Sequence, residues 1–169
     1  MSLLYHGFHF HRLELKRFFN LFPLRPQTLF TTKRSPVAHL PYWHREHTSE
    51  TKLPILFIHG IGIGLLPYVD FLADLNSTAG IEDGALDDQV GIIAVEILPI
   101  SFRITHPAMS KDIMCAEISE ILAYHGWDKV VLISHSFGTV VATHLLKTPA
   151  TADLVGPMVL IDPVSILLH

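Results

Sequence analysis

The sequence has a single cysteine, Cys115, among its 169 residues. One thiol can form neither an internal disulfide nor a cysteine-ligated zinc site, which excludes a disulfide-stabilised scaffold. We interpret Cys115 as a small core residue of a helix and expect an intracellular, reducing compartment. Long apolar runs are also absent, because no uninterrupted stretch approaches the roughly 18–20 residues that span a bilayer.

Charged residues are scarce as well, at 17% of the sequence against about 25% in a typical soluble domain. Hydrophobic residues make up 49%, and the mean hydropathy is +0.38. This composition indicates surface that is covered by something outside this chain, or a position near a membrane. We expect no nucleic-acid partner.

The charges divide the sequence into two segments, 1–52 and 53–169. Eight Lys/Arg and three Asp/Glu lie in the first segment, and four Lys/Arg and thirteen Asp/Glu lie in the second. The basic leader interleaves apolar residues with Arg12, Lys16 and Arg17, which is typical of a helix on an anionic membrane surface. Two alternatives stay open for the leader: a targeting segment, or a strand-and-helix preamble that packs against the second segment.

The second segment alternates apolar runs with helical patterns. The runs lie at 53–59, 91–98, 129–133 and 158–161, and the helices are predicted at 66–77, 110–125 and 137–147, with Ser110 as an N-cap. This alternation predicts an α/β domain with a mostly parallel sheet and helices on both faces.

A serine between small residues ends the third apolar run. Val130 to Ile133 is followed by Ser134-His135-Ser136-Phe137-Gly138, where the helical pattern begins. This is the layout of a nucleophile elbow, a sharp strand-to-helix turn that exposes a serine hydroxyl. The positions two before and two after the nucleophile must be small, and Ser134 and Gly138 satisfy that requirement.

A glycine-rich stretch, His59-Gly60-Ile61-Gly62-Ile63-Gly64, follows the first apolar run. Glycines at this point let backbone N–H groups face a cavity, as an oxyanion hole requires. The alternative is phosphate binding, but the G-x-G-x-x-G spacing fails at Leu65 and no Walker A lysine follows.

Together these motifs resemble the α/β-hydrolase family over about residues 53–165, the N-terminal half of its core. The resemblance implies that Ser136 is the nucleophile and that the backbone N–H groups of Ile61 and Phe137 stabilise the oxyanion. It also implies supporting structural roles for His59, Gly60, Gly62 and Gly138.

The remaining catalytic partners are harder to assign from the sequence. In the family the acid and then the base histidine follow later strands, and we expect those C-terminal strands to be missing here. Asp162, after the fourth run, is a candidate for the acid, and the alternative is a strand-end turn. The histidines considered as a base are His106, His125, His144 and His169.

We expect no cofactor and no metal site. His6, His9 and His11 have a metal-like spacing, but no carboxylate or cysteine completes the set. The sequence therefore predicts a serine hydrolase that acts on an ester, with a lipid-like substrate left open, through an acyl-enzyme on Ser136. We expect little turnover by this chain alone, since its apolar end suggests a fragment or a shortened product. The alternative is a non-catalytic hydrolase-like domain that binds a lipid or a partner.

Overall fold

The computed structural model describes residues 3–13, 31–77, 89–103, 105 and 107–167. Some sequence predictions lie outside the described residues. They are the basic apolar stretch of the leader at 14–30, the solvated loop that four acidic residues predict at 81–89, of which only residue 89 is described, and the histidines His106 and His169.

Six strands form one mixed sheet in the described part of the chain. They are β1 (His9–His11), β2 (Tyr42–Arg45), β3 (Ile55–Ile58), β4 (Ile92–Val95), β5 (Val130–His135) and β6 (Val155–Ile161). Their order across the sheet is β1-β2-β4-β3-β5-β6. The last four strands in this order run parallel, whereas β2 is antiparallel to both β1 and β4. The mostly parallel α/β architecture expected from the sequence is confirmed.

Helices connect the parallel strands. The α-helices are α1 (Val69–Ser77), α2 (Lys111–Tyr124), α3 (Gly138–Lys147), α4 (Pro149–Ala152) and α5 (Val164–Leu167). The N-cap prediction is confirmed, because Ser110 Oγ accepts a 3.3 Å hydrogen bond from the Ile113 N–H. The apolar run at 91–98 forms a shorter strand than its length predicts. The strand covers Ile92–Val95, and a 3₁₀ turn begins at Leu98.

Both faces of the central strands β3 and β4 are buried, which explains their continuous apolar sequences. In β3, Leu56 and Ile58 pack into the core shared with α2 and α3. The alternate residues Ile55 and Phe57 pack into a second core with α1 and the 3₁₀ turn at Leu3–His6. Residues of one strand alternate between faces, so a parallel strand covered on both sides needs apolar residues at every position.

Two strands come from the basic leader and extend the sheet. Trp43 of β2 pairs with Phe10 of β1 and with Ala94 of β4. Both strands are short, and histidine and arginine lie among their apolar residues. The parts of the leader that the structure describes therefore pack against the second segment of the chain.

A buried carboxylate on α2 holds the chain that leads into β2. The Glu117 carboxylate accepts 3.1 Å hydrogen bonds from the backbone N–H groups of His39 and Leu40. The imidazole Nδ1 of His39 also lies 2.5 Å from Glu117 Oε1. A polar group buried in this way is stable only because its hydrogen bonds are made.

The far edge of the described sheet is β6, which pairs on one side only. Its side chains are less covered than those of the central strands. Met158 and Val159 are 45% and 49% exposed, respectively. Large apolar side chains therefore face outward at this edge.

Candidate functional site

Ser136 occupies the sharp turn between β5 and α3. Its φ angle of +49° lies in the left-handed region, which non-glycine residues adopt at a cost of about 1–3 kcal/mol and mostly at functional sites. Hydrogen bonds hold this turn: the Ser136 N–H donates to the Ile161 carbonyl at 2.9 Å, and the Ser136 carbonyl accepts from the Thr139 N–H at 2.9 Å. The chain thus turns sharply from strand to helix at Ser136, which is the backbone arrangement that a nucleophile elbow requires.

Close packing behind the turn leaves no room for a side chain at position 138, which explains the glycine there. A Cβ atom at Gly138 would lie 2.4 Å from the Ile58 carbonyl oxygen and 3.0 Å from the His59 carbonyl oxygen. Both obstacles are backbone atoms, which cannot rotate away. The start of α3 thus rests directly on the end of β3.

Ser134 stands where the family pattern has its first glycine. It is fully buried and pairs with Ile58 of β3 and Leu160 of β6. Its hydroxyl has no hydrogen-bond partner among the residues that the structure describes. The strand therefore has room for the serine side chain. Burial removes the hydrogen bonds of its hydroxyl to water, however, and no hydrogen bond among the described residues replaces them.

The glycine-rich loop after β3 runs against the elbow. A Cβ at Gly60 would lie 2.9 Å from the Ser136 Cβ and 2.9 Å from His135 Nδ1. Gly62 has a φ of +155°, and its N–H is used in a 3.0 Å hydrogen bond to the Ile100 carbonyl. In contrast, the Ile61 N–H donates no hydrogen bond within the described residues.

The second N–H assigned by the resemblance is also available. The Phe137 N–H, next to the candidate nucleophile, donates no hydrogen bond in the described part of the chain. The structure thus leaves Ile61 and Phe137, from loops that meet at Ser136, with unengaged donors. Such donors are what a developing oxyanion needs.

His59 is fully buried beneath the glycine-rich loop. Its Nδ1 lies 2.6 Å from the Gly60 carbonyl oxygen, and its Nε2 accepts a 2.9 Å hydrogen bond from the Ile97 N–H. The ring therefore joins this loop to the chain that follows β4. Its contacts are those of a structural residue.

Tyr68 contacts both loops, a role that no pattern in the sequence indicates. Its hydroxyl accepts a 3.2 Å hydrogen bond from the Gly60 N–H and lies 2.8 Å from His135 Nδ1. A hydroxyl that accepts from Gly60 can donate its proton to His135 Nδ1, which places the imidazole proton on Nε2.

Asp162 follows β6, at the same end of the parallel strands as the turn at Ser136. Its Oδ2 lies 3.5 Å from His135 Nε2, and its side chain is 85% exposed. Its φ of +46° is also left-handed. The structure therefore brings Asp162 beside the imidazole that precedes the candidate nucleophile.

The candidate base histidines do not meet Ser136 in the described residues. His125 hydrogen-bonds to the Tyr42 hydroxyl at 2.9 Å and stacks on His44, so it faces β2. His144 lies two helical turns beyond the elbow on α3. Its pKa is lowered by desolvation and then by Lys111 and Lys147.

Among the described residues, no helix combines the length and the apolar character that a membrane crossing requires.

Neither the protein-family models nor the curated proteins contain a match to this chain. Solved structures do match. The esterase RhEst1 from Rhodococcus sp. ECU1013 aligns at 20% identity and a TM-score of 0.51, over 72% of this chain and 41% of the esterase. The carboxylesterase CesB from Bacillus subtilis aligns at 16% identity and a TM-score of 0.51, over 73% of this chain and 39% of that protein.

A haloalkane dehalogenase variant from Bradyrhizobium elkanii matches equally well, at 16% identity and a TM-score of 0.51, over 76% of this chain and 38% of the dehalogenase. These structures share one architecture. A further matching structure is described as an "Alpha/Beta hydrolase fold protein of unknown function". The chain has the α/β-hydrolase fold. It spans about two fifths of the length of these proteins and therefore contains part of that fold's core.

Proposed function

We propose that this chain carries the nucleophile and the oxyanion hole of a serine hydrolase that acts on esters. The observation that carries the proposal is the conformation of Ser136, whose left-handed φ is held between β5 and α3. The glycine-rich loop packs against it from the neighbouring strand, β3. A strained serine beside two unengaged N–H donors supports acyl transfer better than a purely structural turn.

The proposed chemistry proceeds in two steps. The Ser136 hydroxyl attacks the ester carbonyl and its proton passes to a base, while the N–H groups of Ile61 and Phe137 stabilise the oxyanion. Collapse of the tetrahedral intermediate expels the alcohol, which takes a proton, and leaves an acyl-enzyme on Ser136. Water then attacks the acyl group and releases the acid.

The base is the part of this mechanism that the described residues do not supply. No described histidine makes a hydrogen bond to Ser136 Oγ. Asp162 is proposed as the acid, because it follows the strand next to the nucleophile's strand. Without a base the serine is a weak nucleophile at neutral pH, so we expect slow turnover by this chain.

The substrate class rests on the chemistry of the serine and on the fold. A serine hydroxyl forms acyl intermediates with esters, and two structures similar to this chain are described as an esterase and a carboxylesterase. We propose a small-molecule ester as the substrate, and a lipid-like ester stays open.

Covalent labelling tests this proposal directly. The full chain is treated with a fluorophosphonate, and the modified residue is located by mass spectrometry. We expect slow modification at Ser136, since the described residues supply no base, and none in the Ser136→Ala variant. Ser165→Ala is the matched control, since Ser165 lies beside the elbow and its N–H donates to Thr139 Oγ1 at 3.3 Å. Modification elsewhere, or none in the folded chain, would contradict the assignment.

The second candidate is a non-catalytic domain that binds a lipid or another partner in the same place. The observation that favours it is the missing base contact to Ser136 among the described residues. If a fatty acid or its ester binds wild type and Ser136→Ala equally while Ser136 resists the fluorophosphonate, this candidate is supported and the hydrolase is not.

We further propose that residues 1–52 provide a peripheral membrane contact, since their net charge is positive. The full chain is sedimented with phosphatidylserine vesicles at low and high salt. Charge-driven binding should fall with added salt and should weaken in Lys16→Gln/Arg17→Gln, but not in the control Lys129→Gln. Binding that ignores salt and both substitutions would contradict this contact.

A further inference from the structure

Three histidines from distant parts of the sequence meet at the opposite side of the sheet from the candidate nucleophile. His11 lies on β1, His44 on β2, and His125 directly after α2. One ring nitrogen from each lies within 4.8 Å of the other two. The strands β4 and β3 separate β2 from β5, so this histidine cluster is distinct from the Ser136 site.

Ring contacts and hydrogen bonds orient the three imidazoles. His44 stacks on His125 with their centroids 3.8 Å apart. The Tyr42 hydroxyl lies 3.0 Å from His11 Nδ1 and 2.9 Å from His125 Nε2. Burial raises the pKa of Tyr42 above its ordinary value, so this hydroxyl stays protonated and orients both imidazoles.

His11 has the hydrogen-bond pattern of a metal ligand. Its Nδ1 lies 3.3 Å from the Arg34 carbonyl oxygen, an acceptor that requires the proton on Nδ1. Its Nε2 then carries a lone pair, and this atom is buried without a partner among the described residues. The residue is only 4% exposed. A metal-ligating histidine ordinarily donates its other N–H to a backbone carbonyl in this way.

The protonation states also suit a cation. Desolvation, with a smaller contribution from His125 itself, lowers the pKa of His11 and of His44 to about 4 and about 3. Desolvation and then Lys33 lower the pKa of His125 to about 4. Burial thus disfavours the protonated imidazoles, and neutral imidazole is the form that binds metals.

We infer that His11, His44 and His125 form a binding site for a transition-metal dication, Zn²⁺ in the first place. Imidazole nitrogens suit Zn²⁺, and three of them leave a fourth tetrahedral position for water. A Zn–N distance of about 2.0–2.1 Å places ligands about 3.3 Å apart, so nitrogens that lie within 4.8 Å of one another need to close by at most about 1.5 Å. The half-buried rings of His44 and His125 provide that movement and the entry path.

Calorimetric titration of the full chain with Zn²⁺ tests the site. We expect one Zn²⁺ per chain, with binding weakened about 100-fold or more by His44→Gln and by His125→Gln, since losing even an outer partner of a ligand costs about 10–100-fold. Glutamine keeps a neutral polar side chain at each position. His9→Gln is the matched control, because His9 lies on the same strand as His11 but is exposed.

The His9→Gln control also distinguishes this site from one formed by His6, His9 and His11, whose spacing is visible in the sequence. If His9→Gln weakens binding as much as His44→Gln, or if the wild type binds no Zn²⁺ below millimolar concentration, the inference is wrong. Co²⁺ provides a second readout, because a tetrahedral nitrogen site gives visible absorption that His44→Gln should lose. Thermal unfolding completes the test: Zn²⁺ should raise the Tm of the wild type and of His9→Gln, but not of His44→Gln.

Discussion

The hydroxyl of Tyr68 lies 2.8 Å from Nδ1 of His135 and accepts a hydrogen bond from the N–H of Gly60. One side chain at the start of the helical segment after β3 thus joins the glycine-rich loop to the residue before Ser136. On the other side, His135 Nε2 faces Asp162. The Tyr68 phenol therefore links the proposed oxyanion loop to the turn that carries the proposed nucleophile.

Replacing Tyr68 with phenylalanine removes this link and keeps the ring. We expect the rate of fluorophosphonate labelling at Ser136 to fall about fivefold, the equivalent of one hydrogen bond of about 1 kcal/mol. Tyr5→Phe, at a side chain 85% exposed, is the control and should label at the wild-type rate. An unchanged rate in Tyr68→Phe would show that this hydroxyl does not position the site.

Alanine at Gly138 should destabilise the whole fold, because its Cβ would meet two backbone carbonyls at the end of β3. Overpacking of this kind costs about 1–3 kcal/mol. Urea unfolding measures the change in the free energy of unfolding. Gly126→Asn is the control, since nothing lies within 4 Å of a Cβ at that glycine and asparagine tolerates its positive φ. Equal stability of both variants would contradict the proposed steric requirement.

Ser134 and Ser101 are both buried serines, with opposite hydrogen-bond states. Ser101 Oγ donates a 2.7 Å hydrogen bond to the Ile97 carbonyl, whereas Ser134 Oγ has no partner among the described residues. Ser101→Ala should therefore lower the free energy of unfolding by about 0.5–1.5 kcal/mol. Ser134→Ala should leave it unchanged or raise it. A comparable loss in both would mean that Ser134 is satisfied by water.

Glutamine at position 117 should weaken the attachment of α2 to the chain before β2. The backbone N–H groups of His39 and Leu40 both donate to Glu117 Oε2, so an amide oxygen at that position leaves the NH₂ beside His39 Nδ1. The negative charge that strengthens both backbone hydrogen bonds is also lost. Hydrogen bonds to a charged group contribute about 1.5–3 kcal/mol, and we expect a loss of that order in chemical denaturation. The exposed Glu120, on the same helix, gives the control Glu120→Gln, which should unfold like the wild type.

Sequence reasoning was most successful where the signal is local. The strands β3 to β6 are runs of apolar residues, and five consecutive residues, Ser134 to Gly138, indicate the turn at Ser136. The same reasoning did not locate β1 and β2, because they are three and four residues long and polar residues interrupt them. β2 is a strand because it pairs with β4, more than 45 residues further along the chain, and β1 is a strand because it pairs with β2.

The histidines show the same limit. His11 stands in a local series with His6 and His9, which drew attention to that spacing. In the structure its neighbours are instead His44 and His125, which topology alone brings together. The hydroxyl of Tyr68 is a similar case, since an aromatic residue at a helix start carries no sign of what its oxygen will meet.

The half-covered edge at β6 has a consequence for how the chain reaches its native state. Its outer backbone groups can pair with an extended segment of another copy, and Met158 and Val159 provide apolar contact there. Pairing between copies grows with concentration, whereas docking within one chain does not. The refolding yield should therefore fall as the protein concentration rises, because self-association then competes with folding.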